Sequence, residues 1–154
     1  SFDLIMDQGA YFEFKRHRMM TQTVQELSVE HGYATPRAII ESGLEERYNT
    51  CMAEIAELYE KITAWNPQVA AYVVPNAYNR RVFYQSNLRS LFHFIQLRSA
   101  SNAHFSIRRV AYGMLELLQP HYPLFSEKIM AKNNLTSQEI EEQFFGKIAS
   151  NSSR

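Results

Sequence analysis

A basic triplet, Arg16-His17-Arg18, stands between two apolar stretches of this sequence. Guanidinium and imidazole groups are strong hydrogen-bond donors, and the rigid fork of arginine binds planar or phosphorylated anions through paired bonds. Because Met19 and Met20 follow at once, we expect the triplet to be partly buried and to face an anionic, planar ligand such as a nucleotide or a flavin. The alternative is a solvated helix C-terminus, where cations stabilise the negative end of the helix dipole.

A second group of polar side chains occupies the segment from Asn87 to Arg98. Arg89, His93 and Gln96 are spaced at i, i+4 and i+7, so in a helix they share one face. Such a face would present donors to the same kind of ligand. The pattern is also that of an asparagine cap followed by a solvated polar stripe, and spacing alone does not separate the two interpretations.

The spacing of other reactive residues argues against further site types. The histidines at positions 31, 104 and 121 lack the H-x-x-x-H spacing of a metal site, so no metal is expected. The single cysteine, Cys51, cannot form an internal disulfide, and it falls on the apolar face of a predicted helix, where a packed thiol is expected. None of the five glycines belongs to a G-x-G-x-x-G or G-x-x-x-x-G-K-[ST] motif, which excludes a Rossmann or P-loop nucleotide site.

Composition restricts the class of protein further. The 154 residues suit one domain with a real core, and 45% hydrophobic and 13% aromatic residues indicate a globular chain. Acidic and basic residues balance at 16 each, whereas nucleic-acid and membrane-surface binders need an excess of positive charge. Apolar runs are too short to span a bilayer and no signal peptide is recognisable, so a cytoplasmic location is predicted. The abrupt start within a strand suggests a fragment of a longer protein.

Hydrophobic periodicity predicts an α+β fold in which helices predominate, and these elements must position the polar groups. The predicted strands are 2–6 and 78–84, and 21–29 is predicted to be a strand or an extended loop. The predicted helices are 10–16, 44–65, 68–74, 87–98 and 103–119, followed by a helix that begins with a Thr136–Glu139 capping box. Ser42 and Glu45 are predicted to form a second capping box, at the start of the helix 44–65.

The helix 103–119 carries both apolar and basic residues. Its inward residues are predicted to be Ile107, Val110, Ala111, Met114, Leu117 and Leu118. Arg108 and Arg109 are interpreted as surface charges, paired with Glu116 or with a neighbouring subunit.

The two polar groups together resemble the motifs of the flavin-dependent thymidylate synthases. That family carries R-H-R-x-x-S-x-N-E-x-S-x-R-Y, and later N-x-R-x-x-x-N-F-x-x-x-R followed by H-A-Q-x-E-I-R. The corresponding segments here read R-H-R-M-M-T-Q-T-V-Q-E-L-S-V-E-H-G-Y over 16–33, N-L-R-S-L-F-H-F-I-Q-L-R over 87–98 and N-A-H-F-S-I-R over 102–108. Block order, and the spacing within the second block, agree over residues 2–125.

The resemblance implies roles for individual residues. FAD would be contacted by Arg16, His17, Arg18, Asn87, Arg89 and His93. Glu26 and Ser28 would meet deoxyuridylate or the flavin, and Arg98 would act in catalysis, beside the uracil ring, by favouring its ionised form. Such enzymes pass a methylene group from methylenetetrahydrofolate to the pyrimidine through reduced flavin, with NADPH as reductant.

The resemblance also implies an architecture. We expect a small antiparallel sheet packed with long helices, in which residues 1–133 form the family-like domain without the N-terminal part of the fold. Residues 134–154 are expected to form a C-terminal helix and a frayed tail. Assembly as a homo-oligomer, a homotetramer by resemblance, or beside a second such domain is expected, because the long helices are rich in Tyr and Phe.

Departures from the family pattern cluster on the nucleotide side. Glu30 and Ala71 stand where the pattern has phosphate-binding arginines, and Glu13 replaces a usual glutamine. His93 replaces an asparagine, while Asn102 and His104 replace histidine and glutamine. Two functions therefore stay open: an active flavin-dependent thymidylate synthase, or a non-catalytic domain of the same fold that stabilises or regulates an intact partner. In either case, retained binding is expected to favour flavin over deoxyuridylate.

Overall fold

A three-stranded antiparallel sheet lies at the centre of the chain, with strand order β1-β4-β2. The computed structural model describes residues 1–130 and 135–147. Its elements, in chain order, are β1 (Phe2–Asp7), α1 (Gln8–Phe14), β2 (Thr21–Val24), β3 (Thr35–Pro36), α2 (Arg37–Glu41), α3 (Glu45–Thr63), α4 (Pro67–Ala70), a 3-10 turn (Ala71–Val73), β4 (Asn79–Gln85), α5 (Leu88–Arg98), α6 (Phe105–Leu118), α7 (Pro123–Met130), α8 (Ser137–Phe144) and β5 (Phe145–Lys147). The predicted α+β class, with a small antiparallel sheet and many helices, is confirmed.

Strand β4 pairs with both other strands of the central sheet. Phe2 lies opposite Tyr84 in one pairing and Gln22 lies opposite the same residue in the other. Side chains alternate between the two faces of a strand, so Val82 and Tyr84 are fully buried whereas Phe83 is about half exposed. The buried face packs against α1, α5 and α6, and the core is therefore on one side of the sheet.

Helix α1 begins directly after β1. The side chain of Asp7 accepts a hydrogen bond from the backbone N–H of Ala10 and so caps the helix. Phe14 at the end of α1 is fully buried, and its ring meets those of Tyr84 and Phe94 edge-on at centroid distances of 5.2 and 5.0 Å. This aromatic contact joins α1, β4 and α5 immediately before the basic triplet.

The C-terminal region forms a smaller second layer that includes an unpredicted strand. Strand β5 pairs antiparallel with β3, and α8 packs against α6. Arg108 was interpreted as a surface charge, but it is buried with its guanidinium 5.6 Å from the centroid of Phe144. Arg109 pairs with Glu141 at 2.5 Å, and Glu116 instead accepts hydrogen bonds from Ser137 at the start of α8. The predicted boundary at 133/134 and the frayed tail lie outside the described residues and stay predictions.

Three further predictions are wrong. Ser42 does not cap α3, because it ends α2 by donating to the carbonyl of Ala38, and Gly43 with φ 70° turns the chain before α3. Cys51 is exposed rather than packed, since the buried side of α3 is centred on Met52. Leu117 is 64% exposed because the last turn of α6 buries Met114, Leu115 and Leu118, and Leu117 does not share their face. None of the helices in the described part of the chain is long and apolar enough to cross a membrane.

The capping box at Thr136, by contrast, forms with both of its hydrogen bonds, from Glu139 N–H to Thr136 and from Thr136 N–H to Glu139. Replacing Thr136 with alanine is expected to lower the free energy of unfolding by about 1 kcal/mol, because one N-terminal donor loses its acceptor. Urea denaturation measures the change. Ser42→Ala is the matched comparison, and an equal or larger loss there would contradict the assignment of caps.

Candidate functional site

A cavity of about 480 Å³ opens between the loop after α1 and one face of α5. Its lining consists of Arg16, His17, Arg18, Met19, Met20, Arg89, Ser90 and His93. Residues from both predicted groups therefore meet in one place. The volume lies within the range of small-molecule sites, which is about 300–1,000 Å³.

Backbone contacts fix the loop that carries the basic triplet. The N–H of His17 donates to the carbonyl of Phe14 at 3.1 Å, which tightens the chain directly after α1. The side chain of Gln22 donates to the carbonyl of His17 at 3.2 Å and ties the loop to β2. On the other wall, Asn87 caps α5 by accepting from the N–H of Ser90 at 2.9 Å. The loop and the helix face thus keep a defined separation.

His17 lies at the back of the cavity. Its ring meets Phe94 edge-on at a centroid distance of 5.0 Å and lies 6.0 Å from the ring of His93. Arg98 Nε donates to His17 Nε2 at 3.0 Å. Because an arginine N–H can only donate, Nε2 must be the acceptor nitrogen, and the neutral ring carries its proton on Nδ1. Burial first, and then the charges of Arg98 and His93, lower the pKa of His17 to about 4.

Arg98 also forms an ion pair with Glu13 of α1. Arg98 Nη1 lies 2.5 Å from Glu13 Oε2, and the two side chains are only 14% and 24% exposed. Glu13 was recognised from sequence only as a departure from the family pattern, and its pairing with Arg98 was missed. The available signal was its position one helical turn before Arg16, on the side of α1 that faces the triplet. Arg98 itself does not line the cavity but lies behind His17.

Of the remaining predicted residues, Arg89 and Asn87 line cavities beside α5, whereas Glu26 and Ser28 line none of the cavities described. Arg89 lines this cavity and also a neighbouring one of about 680 Å³, whereas Asn87 lines a third, of about 780 Å³, together with Phe2 and Leu118. Glu26 and Ser28 lie in the segment that follows β2. Glu26 is exposed, and Ser28 Oγ accepts from the N–H of Glu30 at 3.4 Å. Within this chain, Glu26 and Ser28 are not brought to the cavity.

The chemistry of the cavity lining fits an anionic aromatic group. Arg16, Arg18 and Arg89 are exposed and form no ion pair with a carboxylate in residues 1–130 and 135–147. Unpaired guanidinium groups bind phosphate oxygens, and imidazole rings stack on planar rings. Over the same residues no cluster of His, Cys, Asp or Glu could hold a metal ion. The lining therefore suits a ligand that combines phosphate groups with a planar ring system.

A family model described as thymidylate synthase complementing protein matches residues 1–124. The chain belongs to this family, the flavin-dependent thymidylate synthases. A flavin-dependent thymidylate synthase of Pyrococcus abyssi is 32% identical over 112 residues, and a UPF0159 protein of Chlamydia pneumoniae is 38% identical over 127 residues. The structure of ThyX of Helicobacter pylori, complexed with FAD and dUMP, superposes with a TM-score of 0.64 over 82% of this chain and 70% of that chain. At 20% identity this last similarity shows the fold.

The thymidylate synthase relatives are longer than the matched region. The match covers 66% of this chain and 46% of the Pyrococcus enzyme, and 80% of this chain but 24% of the Chlamydia protein. The chain thus spans about a quarter to a half of these curated relatives.

Proposed function

We propose that this chain is a flavin-binding domain of a flavin-dependent thymidylate synthase, and that FAD binds in the cavity of about 480 Å³. The observation that carries this proposal is the meeting of five predicted flavin residues, Arg16, His17, Arg18, Arg89 and His93, in one cavity. They come from segments about 70 residues apart in the sequence, and the fold brings them to one cavity.

Each side chain has a defined part in this proposal. The three arginines would hold the phosphates, and the rings of His17 and His93 would pack against the planar part of the cofactor. The bound flavin would supply the redox chemistry that converts dUMP to dTMP with methylenetetrahydrofolate and NADPH. His17, through its bond to Arg98, positions the guanidinium that would meet the pyrimidine. Cytoplasmic location and homotetrameric assembly belong to the same proposal.

A second candidate function is that of a non-catalytic partner domain. It is favoured by Glu30 and Ala71, which stand where the family pattern has phosphate-binding arginines. Each missing charge-assisted contact would weaken phosphate binding by about 1.5–3 kcal/mol. In this form the chain would retain the flavin side of the site and leave turnover to an intact domain.

Flavin binding tests the proposal directly. Titration of the purified chain with FAD is expected to shift the visible absorption and quench the fluorescence of the flavin. Arg18→Gln should raise the flavin Kd by about 10-fold or more, the loss of one charge-assisted hydrogen bond. Arg47→Gln, an exposed arginine on α3, is the matched control and should leave the Kd unchanged. Absence of flavin binding by the wild-type chain, or equal effects of both variants, would refute the proposal.

The two candidate functions differ in turnover. If the chain is an enzyme in its own right, tritium release from [5-³H]dUMP should require FAD, NADPH and methylenetetrahydrofolate and should occur with this chain alone. If it is a partner domain, flavin binds but no release occurs until an intact family member is added.

A further inference from the structure

A cavity of about 330 Å³ lies where the end of β1 and the start of α6 meet the small sheet of β3 and β5. Its volume is near the lower end of the range for small-molecule sites, which is about 300–1,000 Å³. Its apolar walls are formed by Ala34, Pro36, Ala77, Phe105 and Phe145. This lining shares no residue with the cavity proposed for FAD, so the two cavities are separate sites.

Asp7 is the one residue of this lining that carries a fixed charge. Its Oδ1 accepts from the N–H of Ala10 at 2.8 Å, and its Oδ2 accepts from the hydroxyl of Ser106, which is buried. A carboxylate has about four lone-pair sites, so these bonds leave acceptor capacity free. Throughout the described ranges 1–130 and 135–147, no basic side chain forms an ion pair with Asp7. The carboxylate therefore lies beside an apolar cavity without a counter-charge from the described chain.

The arginines of the neighbouring helices α2 and α6 have other partners. Arg37 donates to two backbone carbonyls in α8 and β5, and Arg108 and Arg109 contact side chains of α8. The imidazole of His104 also lines the cavity, and its Nδ1 accepts from the N–H of Ser106 at 3.3 Å. Because a protonated imidazole has no acceptor nitrogen, His104 is neutral in this arrangement. The missing positive charge is thus one that a ligand can supply.

We propose that this cavity binds a small organic amine, with its ammonium group at Asp7 and its apolar body against the apolar walls. An ammonium group carries three N–H donors. The carboxylate of Asp7 and the hydroxyl oxygen of Ser106 would accept from it, and Asn76 in the same lining offers an amide oxygen. The proposal goes beyond the thymidylate synthase function, because it assigns a second site and a second class of ligand.

The charge of the ligand follows from the composition of the lining. An anion would be repelled by the carboxylate of Asp7. A neutral ligand would cover that carboxylate with apolar surface and leave it without a counter-charge, which is unfavourable. A cation with an apolar body satisfies both parts of the cavity.

Two probes of nearly equal shape test this preference. Phenethylamine is protonated at neutral pH, whereas phenethyl alcohol is uncharged. Ligand-observed NMR titration of the full chain gives the Kd of each probe. We expect the amine to bind with a Kd on the order of 1 mM or tighter, at least about 10-fold below that of the alcohol, because only the amine forms a charge-assisted hydrogen bond.

Asp7→Asn removes the charge and keeps a good helix cap, because asparagine and aspartate are about equally favourable at this position. The variant should raise the Kd of the amine by about 10-fold or more and leave that of the alcohol nearly unchanged. Asp3→Asn is the matched control on the same strand. Asp3 pairs with Arg81 at the surface and does not line the cavity, so both Kd values should stay at their wild-type levels.

Backbone amide shifts of the wild-type protein locate the bound amine. Shift changes are expected at Gly9, Ser106 and Phe145, and they should be absent at Arg18 and Arg89, which line the cavity proposed for FAD. This measurement needs no variant, so it decides the location even if a substitution disturbs the fold.

Each result bears on the proposal. It is overturned if wild type does not bind the amine, if it binds the amine and the alcohol equally, or if the shift changes lie outside this lining. Wild-type affinity of Asp7→Asn for the amine overturns it as well. A charge-dependent Kd with shifts at the predicted amides supports it, whether or not the separate titration with FAD shows flavin binding.

Discussion

Replacing Phe94 with alanine is expected to lower the free energy of unfolding by about 3–5 kcal/mol, which is a large part of the stability of a domain of this size. Phe94 is fully buried, and its ring meets those of Phe14 and His17 edge-on at 5.0 Å each. Truncation removes both contacts and leaves a cavity between α1 and α5. The same ring supports His17, so the variant should also lose flavin binding.

Urea denaturation followed by circular dichroism measures this change. Phe83→Ala is the matched control, because Phe83 lies on the opposite face of β4 and is 46% exposed. Its loss should cost about 1 kcal/mol or less. Comparable destabilisation by the two variants would mean that the core is not on the side of the sheet that faces α1, α5 and α6.

Acidification is expected to destabilise the protein through His17, by on the order of 2 kcal/mol once solvent screening of this half-buried ring is allowed for. The pKa of His17 is lowered from 6.5 to about 4 in the folded chain. Between pH 6.5 and about 4, His17 is protonated in the unfolded chain but remains neutral in the folded chain. Stability therefore falls as pH falls from about 6.5 towards 4, and it is restored above that window.

The slope of unfolding free energy against pH checks this effect. His17→Gln should flatten the slope between pH 6.5 and 5, whereas His121→Gln, an exposed histidine after α6, should leave it unchanged. An NMR titration of the His17 ring should show its midpoint near 4 in the folded protein. Identical slopes in wild type and His17→Gln would contradict the neutral, Arg98-bonded ring.

Local sequence signals predicted most of the elements. Strands β1 and β4 and helices α5, α6 and α8 were all predicted from alternation, periodicity and capping residues, because these signals act within one element. Strand β5 was missed because three residues carry no readable alternation, and its pairing with β3 depends on a contact across more than 100 residues. The exposure of Cys51 was missed because the periodicity of α3 shows which residues share a face but not how much of that face is covered.

The candidate site was predictable to a similar extent. The sequence identified the basic triplet and the polar face of α5, but not their meeting with Glu13, which depends on how α1 and α5 cross. Asn87 serves as a helix cap, which was the alternative interpretation of its segment. The predicted roles of Glu26 and Ser28 stay predictions, and neither residue lines the cavity within this chain. A sequence motif does not specify whether its residues contribute to a site in their own chain or to a site in another subunit or domain.

The strand order β1-β4-β2 has a consequence for how the chain reaches its native state. The two outer strands are both translated before their shared partner, and neither pairs with the other. Until Asn79–Gln85 has been synthesised, β1 and β2 have no strand to form backbone hydrogen bonds with. When β4 then pairs with them, each pairing closes a loop of more than 50 residues. Because α5 follows β4 directly, the late arrival of one strand completes the sheet and delivers Arg98 to Glu13 and His17 at nearly the same moment. The second wall of the cavity, which α5 supplies, is therefore absent from the nascent chain until β4 and α5 have both been synthesised.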